Sequence, residues 1–102
     1  MPSIAQLEKL LALEPGDAFL LYGIAQEHAK ANDHEKAVDY FEQTIKADPD
    51  YTYAYFHIAR SLESLDREPD AIAYLEKGHE VAKRVGDAQG ISEIAGYLDG
   101  LR

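Results

Sequence analysis

Apolar and polar residues recur along this chain with a period of 34. Ile24-Ala25 aligns with Ile58-Ala59, Ala37-Val38 with Ala71-Ile72, and Tyr40-Phe41-Glu42 with Tyr74-Leu75-Glu76. One period earlier, Leu7 aligns with Phe41, Leu11 with Ile45 and Pro15 with Pro49. Size and apolarity are kept at these places, while the polar positions between them drift. Self-similarity at such a period marks an architecture made by stacking one supersecondary unit on the next.

Each period holds two stripes with helical spacing. Leu21, Ile24, Ala25 and His28 fall at i, i+3, i+4 and i+7, as do Tyr55, Ile58, Ala59 and Leu62 one period later. A second stripe runs through Ala37, Tyr40, Phe41, Thr44 and Ile45, and then through Ala71, Tyr74, Leu75 and Gly78. The alanines in these stripes let neighbouring helices approach closely. Boundary signals agree with the stripes. Ser3 and Gln6 form a capping-box pattern, and Asp17 and Asp50 follow Pro-containing breaks as expected N-caps. Asn32-Asp33 and Asp66-Arg67-Glu68 are the expected turns inside the units, with Pro69 tolerated in a first helical turn. Helices are therefore expected over about 3–13, 17–31, 34–47, 51–65, 68–84 and 88–100. The last contains Gly90, Gly96 and Gly100, each weakening it by up to ~1 kcal/mol relative to Ala.

These residues resemble the tetratricopeptide repeat (TPR) family, whose pattern runs Trp-x-x-Leu-Gly-x-x-Tyr, then Ala, an aromatic and a Pro. It appears here as Leu21-x-x-Ile24-Ala25-x-x-His28, then Ala37, Phe41 and Pro49, and again as Tyr55-x-x-Ile58-Ala59-x-x-Leu62, then Ala71 and Leu75. The signature Trp and Gly are missing from both units, and Lys83 stands where the second would end in Pro. The resemblance implies an all-α fold: a right-handed superhelical stack of antiparallel helix pairs, about six helices in a single domain spanning 1–102. Repeats would cover 18–51 and 52–85, between a half-repeat helix at 3–15 and a closing helix at 88–100.

The opening helix of each unit carries a further stripe that the core does not require. Phe19, Tyr22, Gln26 and Ala29 are followed one period later by Tyr53, Phe56, Arg60 and Glu63. In TPR proteins the opening helices line a concave groove that holds peptide, so the resemblance implies that Phe19, Tyr22, Gln26, Tyr53, Phe56, Arg60 and, from the last helix, Gln89 face it. Aromatic side chains suit that task because they supply contact area at low entropic cost. Phe19 and Tyr53 stand equally as residues that pack one opening helix on the next. Family members that grip the acidic tail of heat-shock chaperones place Lys, Asn, Asn, Lys and Arg in the groove. The matching slots here hold Tyr22, Gln26, His57, Gln89 and Glu93, so that use is not expected.

Composition narrows the function further. The formal charge is −9, with four Lys/Arg against ten Asp/Glu in residues 1–51 and six against nine in 52–102. Such a surface disfavours nucleic acid and anionic membrane and draws cationic partners. No cysteine is present, which removes disulfides, thiolate chemistry and Cys-based zinc sites. No stretch approaches the ~18 apolar residues of a membrane helix, and the N-terminal residues lack a signal-peptide pattern, so the cytoplasm is the default compartment. The four histidines show no His-Glu-x-x-His spacing; His28 lies on a core stripe, His34 is expected in solvent, and His57 is the one near a groove. Serines lack a nucleophile-elbow context and no Gly-rich phosphate loop occurs. The reading is a non-catalytic protein-interaction module without cofactor or metal, whose partner is a protein or peptide with apolar anchors and some basic character. A homo-oligomer joined through its open repeat ends is the alternative.

Overall fold

The computed structural model describes residues 3–102; Met1 and Pro2, which open the N-terminal stretch and the expected domain, lie outside the described residues. Six helices follow in order: α1 (Ile4–Leu13), α2 (Ala18–Lys30), α3 (His34–Ala47), α4 (Thr52–Ser64), α5 (Glu68–Val85) and α6 (Ala88–Leu101). Each lies within one residue of its expected bounds. The caps explain the agreement. Ser3 and Gln6 form the reciprocal capping box, and Asp17, Asp33 and Asp87 each accept a backbone N–H three residues on, at 3.1, 3.3 and 2.9 Å.

Asp50 departs from expectation. The N-cap of α4 is Tyr51, with no side-chain cap bond, and Asp50 instead pairs with Arg84 of α5 at 2.7 Å. Its own N–H donates to Asp48 Oδ1 at 3.0 Å, and α4 begins one residue later than a cap at Asp50 would set.

The 34-residue period extends to the backbone of the turns. Asn32 and Asp66, one period apart, both adopt left-handed conformations (φ 62° and 58°), and Gly86 does so at the end of α5 (φ 77°). At each, the next residue donates back across the turn: Asp33 to His28 O (2.9 Å), Arg67 to Leu62 O (2.8 Å) and Asp87 to Ala82 O (2.9 Å). These bonds satisfy carbonyls that a helix end would otherwise leave open, and Asn, Asp and Gly are the residues that tolerate this geometry.

The core forms where the stripes meet. Ile24, Ala25, Ala37, Phe41, Ile58, Ala59, Leu62, Ala71, Leu75 and Ile94 are completely enclosed. Tyr55 is enclosed as well, and its hydroxyl is satisfied by donating to Pro49 O at 2.7 Å. Each helix packs chiefly on its sequence neighbours, and α2 also approaches α4, as α4 approaches α6. The closing helices α3 and α5 make no such approach to one another. Opening helices drawn together while closing helices splay apart curve the stack, with α2, α4 and α6 on the inner side.

The glycines separate by what surrounds them. A Cβ on Gly78 would lie 2.5 Å from Tyr55 Cβ, so its absence permits the α4–α5 crossing. A Cβ on Gly90 would meet the Asp87 carboxylate at 2.7 Å and Thr52 at 2.9 Å, so this glycine is required by the α6 cap rather than being a mere weakness. Gly96 and Gly100 have nothing within 4 Å. We expect Gly78→Ala to destabilise by about 1–3 kcal/mol through overpacking, and Gly96→Ala to stabilise by up to ~1 kcal/mol. Urea denaturation reads both, and equal midpoints for the two variants would contradict the packing assignment.

Candidate interaction groove

The inner face of α2, α4 and α6 is a connected set of aromatic rings centred on His57. Its imidazole lies 5.9 Å from the Tyr22 ring, 6.2 Å from Phe41, 6.5 Å from Tyr53 and 5.3 Å from Phe56, stacking on Phe41 and meeting Phe56 edge-on. Tyr22 is itself 4.7 Å from Tyr51 and 5.9 Å from Phe41, while Phe56 continues to Tyr97 of α6 at 5.4 Å. One imidazole thus joins α2, α3 and α4, and Phe56 extends the chain of contacts to α6. Offset and edge-to-face pairs of this kind contribute about 0.5–1.5 kcal/mol each beyond area burial.

The structure sorts the expected groove residues differently from the sequence. Phe19 is 72% exposed and does not serve as packing between opening helices. Tyr22 and Phe56, expected on a stripe that the core does not require, are half-buried against it. The reason is their neighbours: Phe41 of α3 and His57 of α4 cover the Tyr22 ring, and Tyr97 of α6 and the adjacent His57 cover Phe56. Tyr53 is half-buried beside Phe56 and His57. Gln26 and Arg60 line a cavity of about 290 Å³ between α2, α3 and α4, which Phe41 and His57 of the aromatic cluster also border. Gln89 is exposed on α6 and donates to Glu93 Oε1 at 3.0 Å.

Sequence context did not bring together two residues beside this face. His34, expected in solvent, is half-buried, with Nδ1 3.2 Å from Ser61 Oγ, and both border the cavity. Ser61 lies inside α4, where backbone amides are consumed by the helix, so no paired N–H groups are available to hold an oxyanion. The pair satisfies two buried polar groups and joins α3 to α4. Repeat alignment could not reveal it, because it is a contact across two helices 27 positions apart.

Electrostatics on this face follow from burial. Desolvation, with the neighbouring Tyr51 and Tyr53 hydroxyls, pushes the Tyr22 phenol up to about 12. Desolvation and the Glu63 carboxylate, whose Oε1 accepts the Tyr97 hydroxyl at 2.6 Å, raise Tyr97 as well. The phenols are therefore protonated donors at neutral pH. Burial first, and then Arg60, lower the proton affinity of His57, with Glu93 pulling weakly the other way. No group of three or more His, Cys, Asp or Glu side chains suited to a metal ion occurs among the described residues.

A curved row of paired helices with an aromatic inner face defines a helical-repeat protein of the solenoid class. The tetratricopeptide repeat family model matches residues 22–79, more than half of the chain, and the chain belongs to that family. A TPR repeat-containing protein of Pseudomonas aeruginosa is 26% identical over 93% of this chain and 90% of its own length. Among solved structures, a tetratricopeptide repeat domain protein from Salinibacter ruber is 36% identical, with a TM-score of 0.80 over 86% of this chain and 89% of that one. The TPR2B domain of yeast Sti1, solved in a complex with pHsp70, superposes with a TM-score of 0.90 over 96% of this chain and 78% of that one at 18% identity.

The depressed proton affinity of His57 has a definite sign in stability. The unfolded chain binds this proton more readily, so the folded state is favoured above the ordinary histidine value of about 6.5 and loses that advantage as pH falls below it. We expect the urea midpoint to drop between pH 7.5 and 5.5, and His57→Gln to drop less over the same interval. An identical fall in both proteins would remove His57 as the source.

Proposed function

We propose that this protein is an interaction module whose inner face, lined by α2, α4 and α6, holds an extended or helical segment of a partner protein. The single observation that carries this reading is Phe19, a large aromatic left 72% exposed on α2, three residues before Tyr22, whose ring is packed on the core. A phenylalanine this exposed gains little from folding and is the kind of anchor that dominates interfaces. Tyr22, Gln26, Tyr53, Phe56, Arg60 and Gln89 supply the rest of the surface in this proposal. Its organisation is a single unit of two repeats, 18–51 and 52–85, flanked by the helices at 3–15 and 88–100. The net charge of −9 favours a segment within a partner of positive overall charge. The TPR2B domain of Sti1, which has the same fold and was solved in a complex with pHsp70, supports a protein ligand for a fold of this kind.

A displayed library of random 12-residue peptides is the direct probe. We expect enrichment of peptides with apolar anchors, and Phe19→Ala to weaken the best of them about fivefold or more, the size of an interface contact above 1 kcal/mol. The same variant should keep its melting temperature. Failure of the library to enrich, or binding indifferent to Phe19, would sink the groove reading.

A second reading rests on α1, where Leu10 and Leu13 are 47% and 79% exposed at the first end of the stack. Repeat ends without a polar covering attract one another. In this reading two copies meet through α1, and sedimentation shows a dimer that Leu13→Glu dissociates. A strict monomer at high concentration would retire it.

A further inference from the structure

The two ends of the stack are open in complementary ways. Helix α1 has the register of the closing helices, since Leu7 aligns with Phe41 and Leu75. Helix α6 has that of the opening helices, with its cap Asp87 at the place that Asp17 takes before α2. Among the described residues, α1 therefore lacks the opening helix of its unit, and α6 lacks its closing helix. Pairing within a unit, α2 with α3 and α4 with α5, is the most extensive packing in the molecule. Each end is thus without the larger part of its cover.

The missing cover shows residue by residue. On α1, Leu10 stands where the internal units have Thr44 and Gly78, and Leu13 where the second has Val81. Thr44, Gly78 and Val81 are buried, whereas Leu10 and Leu13 are 47% and 79% exposed. On α6, aligned by its cap, Ile91 stands where α2 and α4 have Leu21 and Tyr55, and Ala95 where they have Ala25 and Ala59. Those four are buried, while Ile91 and Ala95 are only half-covered. A space of about 220 Å³ lies beside Ala95 and Leu98, bordered by His79 of α5. Their counterparts on α4, Ala59 and Leu62, are wholly enclosed.

We infer that copies of this chain associate head to tail, with α1 of one copy laid on α6 of the next so that the two helices complete a repeat between them. Ser3 then faces Ala95, keeping the small residues that a close crossing needs, as Ala37 and Ala71 do for Ala25 and Ala59. Leu10 meets Ile91 in the place of Gly78 and Tyr55, where a Cβ on the glycine would stand 2.5 Å from that of the tyrosine. The antiparallel run of the pair brings Leu13 over the start of α6. Charge does not oppose the joint, because α1 balances Glu8 with Lys9 inside an otherwise acidic body. The contact uses different surfaces on the two copies, so it does not saturate at a dimer and carries the inner face of one copy into the next. It is independent of the groove reading, and it differs from two copies meeting through α1 because it requires α6.

Sedimentation of the full chain at rising concentration should give an average mass that climbs past that of a dimer. Two variants, each disabling one face, then identify the joint. Leu10→Glu disables the α1 face and Ala95→Glu the α6 face. Leu10 is already exposed, and the space beside Ala95 takes the longer side chain, so both variants should melt close to the wild type. Each alone should be monomeric. Their equimolar mixture should form a one-to-one dimer, because the intact α6 face of the first meets the intact α1 face of the second. Ala95→Glu that still dimerises alone would overturn the joint in favour of α1 meeting α1, and a strictly monomeric wild type would overturn both. Where a variant fails to fold, Leu10→Cys and Ile91→Cys report the same contact in a chain with no other cysteine. Mixed under mild oxidation, they should cross-link to each other about tenfold faster than either does to itself, because the joint holds them within disulfide reach. Equal rates would overturn the joint.

Discussion

The close approach of opening and closing helices is the constraint on which the rest of this structure depends. It is set by small side chains at the crossings. Ala25, Ala37, Ala59 and Ala71 are wholly enclosed, and Gly78 accepts Tyr55 where a Cβ would stand 2.5 Å away. Because the crossings are tight, Ile24, Phe41, Ile58, Leu62 and Leu75 interlock without leaving a polar atom stranded. No buried side-chain nitrogen or oxygen lacks a partner among the described residues. Burial of such side chains contributes roughly 1.5–3 kcal/mol each, against the conformational entropy of ordering them.

The same approach dictates what the inner face can offer. Tyr22 and Phe56, covered by residues of neighbouring helices, form one cluster with Phe41 around His57. That cluster is packed on the core, so the exposed side chains beside it are presented from an ordered inner face. A preorganised surface loses less entropy on association than a mobile one. The cluster divides the face into two chemistries. Phe19 and Tyr53 mark an aromatic end, and Arg60, Lys30 and Gln26 surround a polar cavity beside α3.

Much of the fold was legible in the sequence because its signals are local and repeated. Caps such as Ser3 and Asp17 act within three residues, so the starts of α1 and α2 could be read from their own neighbourhood. Asp50 failed as a cap because a partner 34 positions away, Arg84, competes for its carboxylate. His34 was misplaced in solvent for a similar reason, since Ser61 meets it from another helix. The inner face was legible as a stripe but not in its depths: spacing identifies Tyr22 and Phe56 as lying off the core stripe, yet only the interhelical distance decides how far they are covered. His57 gained its central position from three helices at once, which no single periodicity encodes.

In the proposed function a partner segment lies along the inner face of α2, α4 and α6. The most direct measurement is amide chemical-shift mapping of the nitrogen-15-labelled protein with a bound selected peptide. Perturbations concentrated at Phe19, Tyr22, Gln26, Tyr53, His57 and Arg60 are the result expected. Perturbations confined to α3 and α5, or to the α1 end around Leu13, would contradict it.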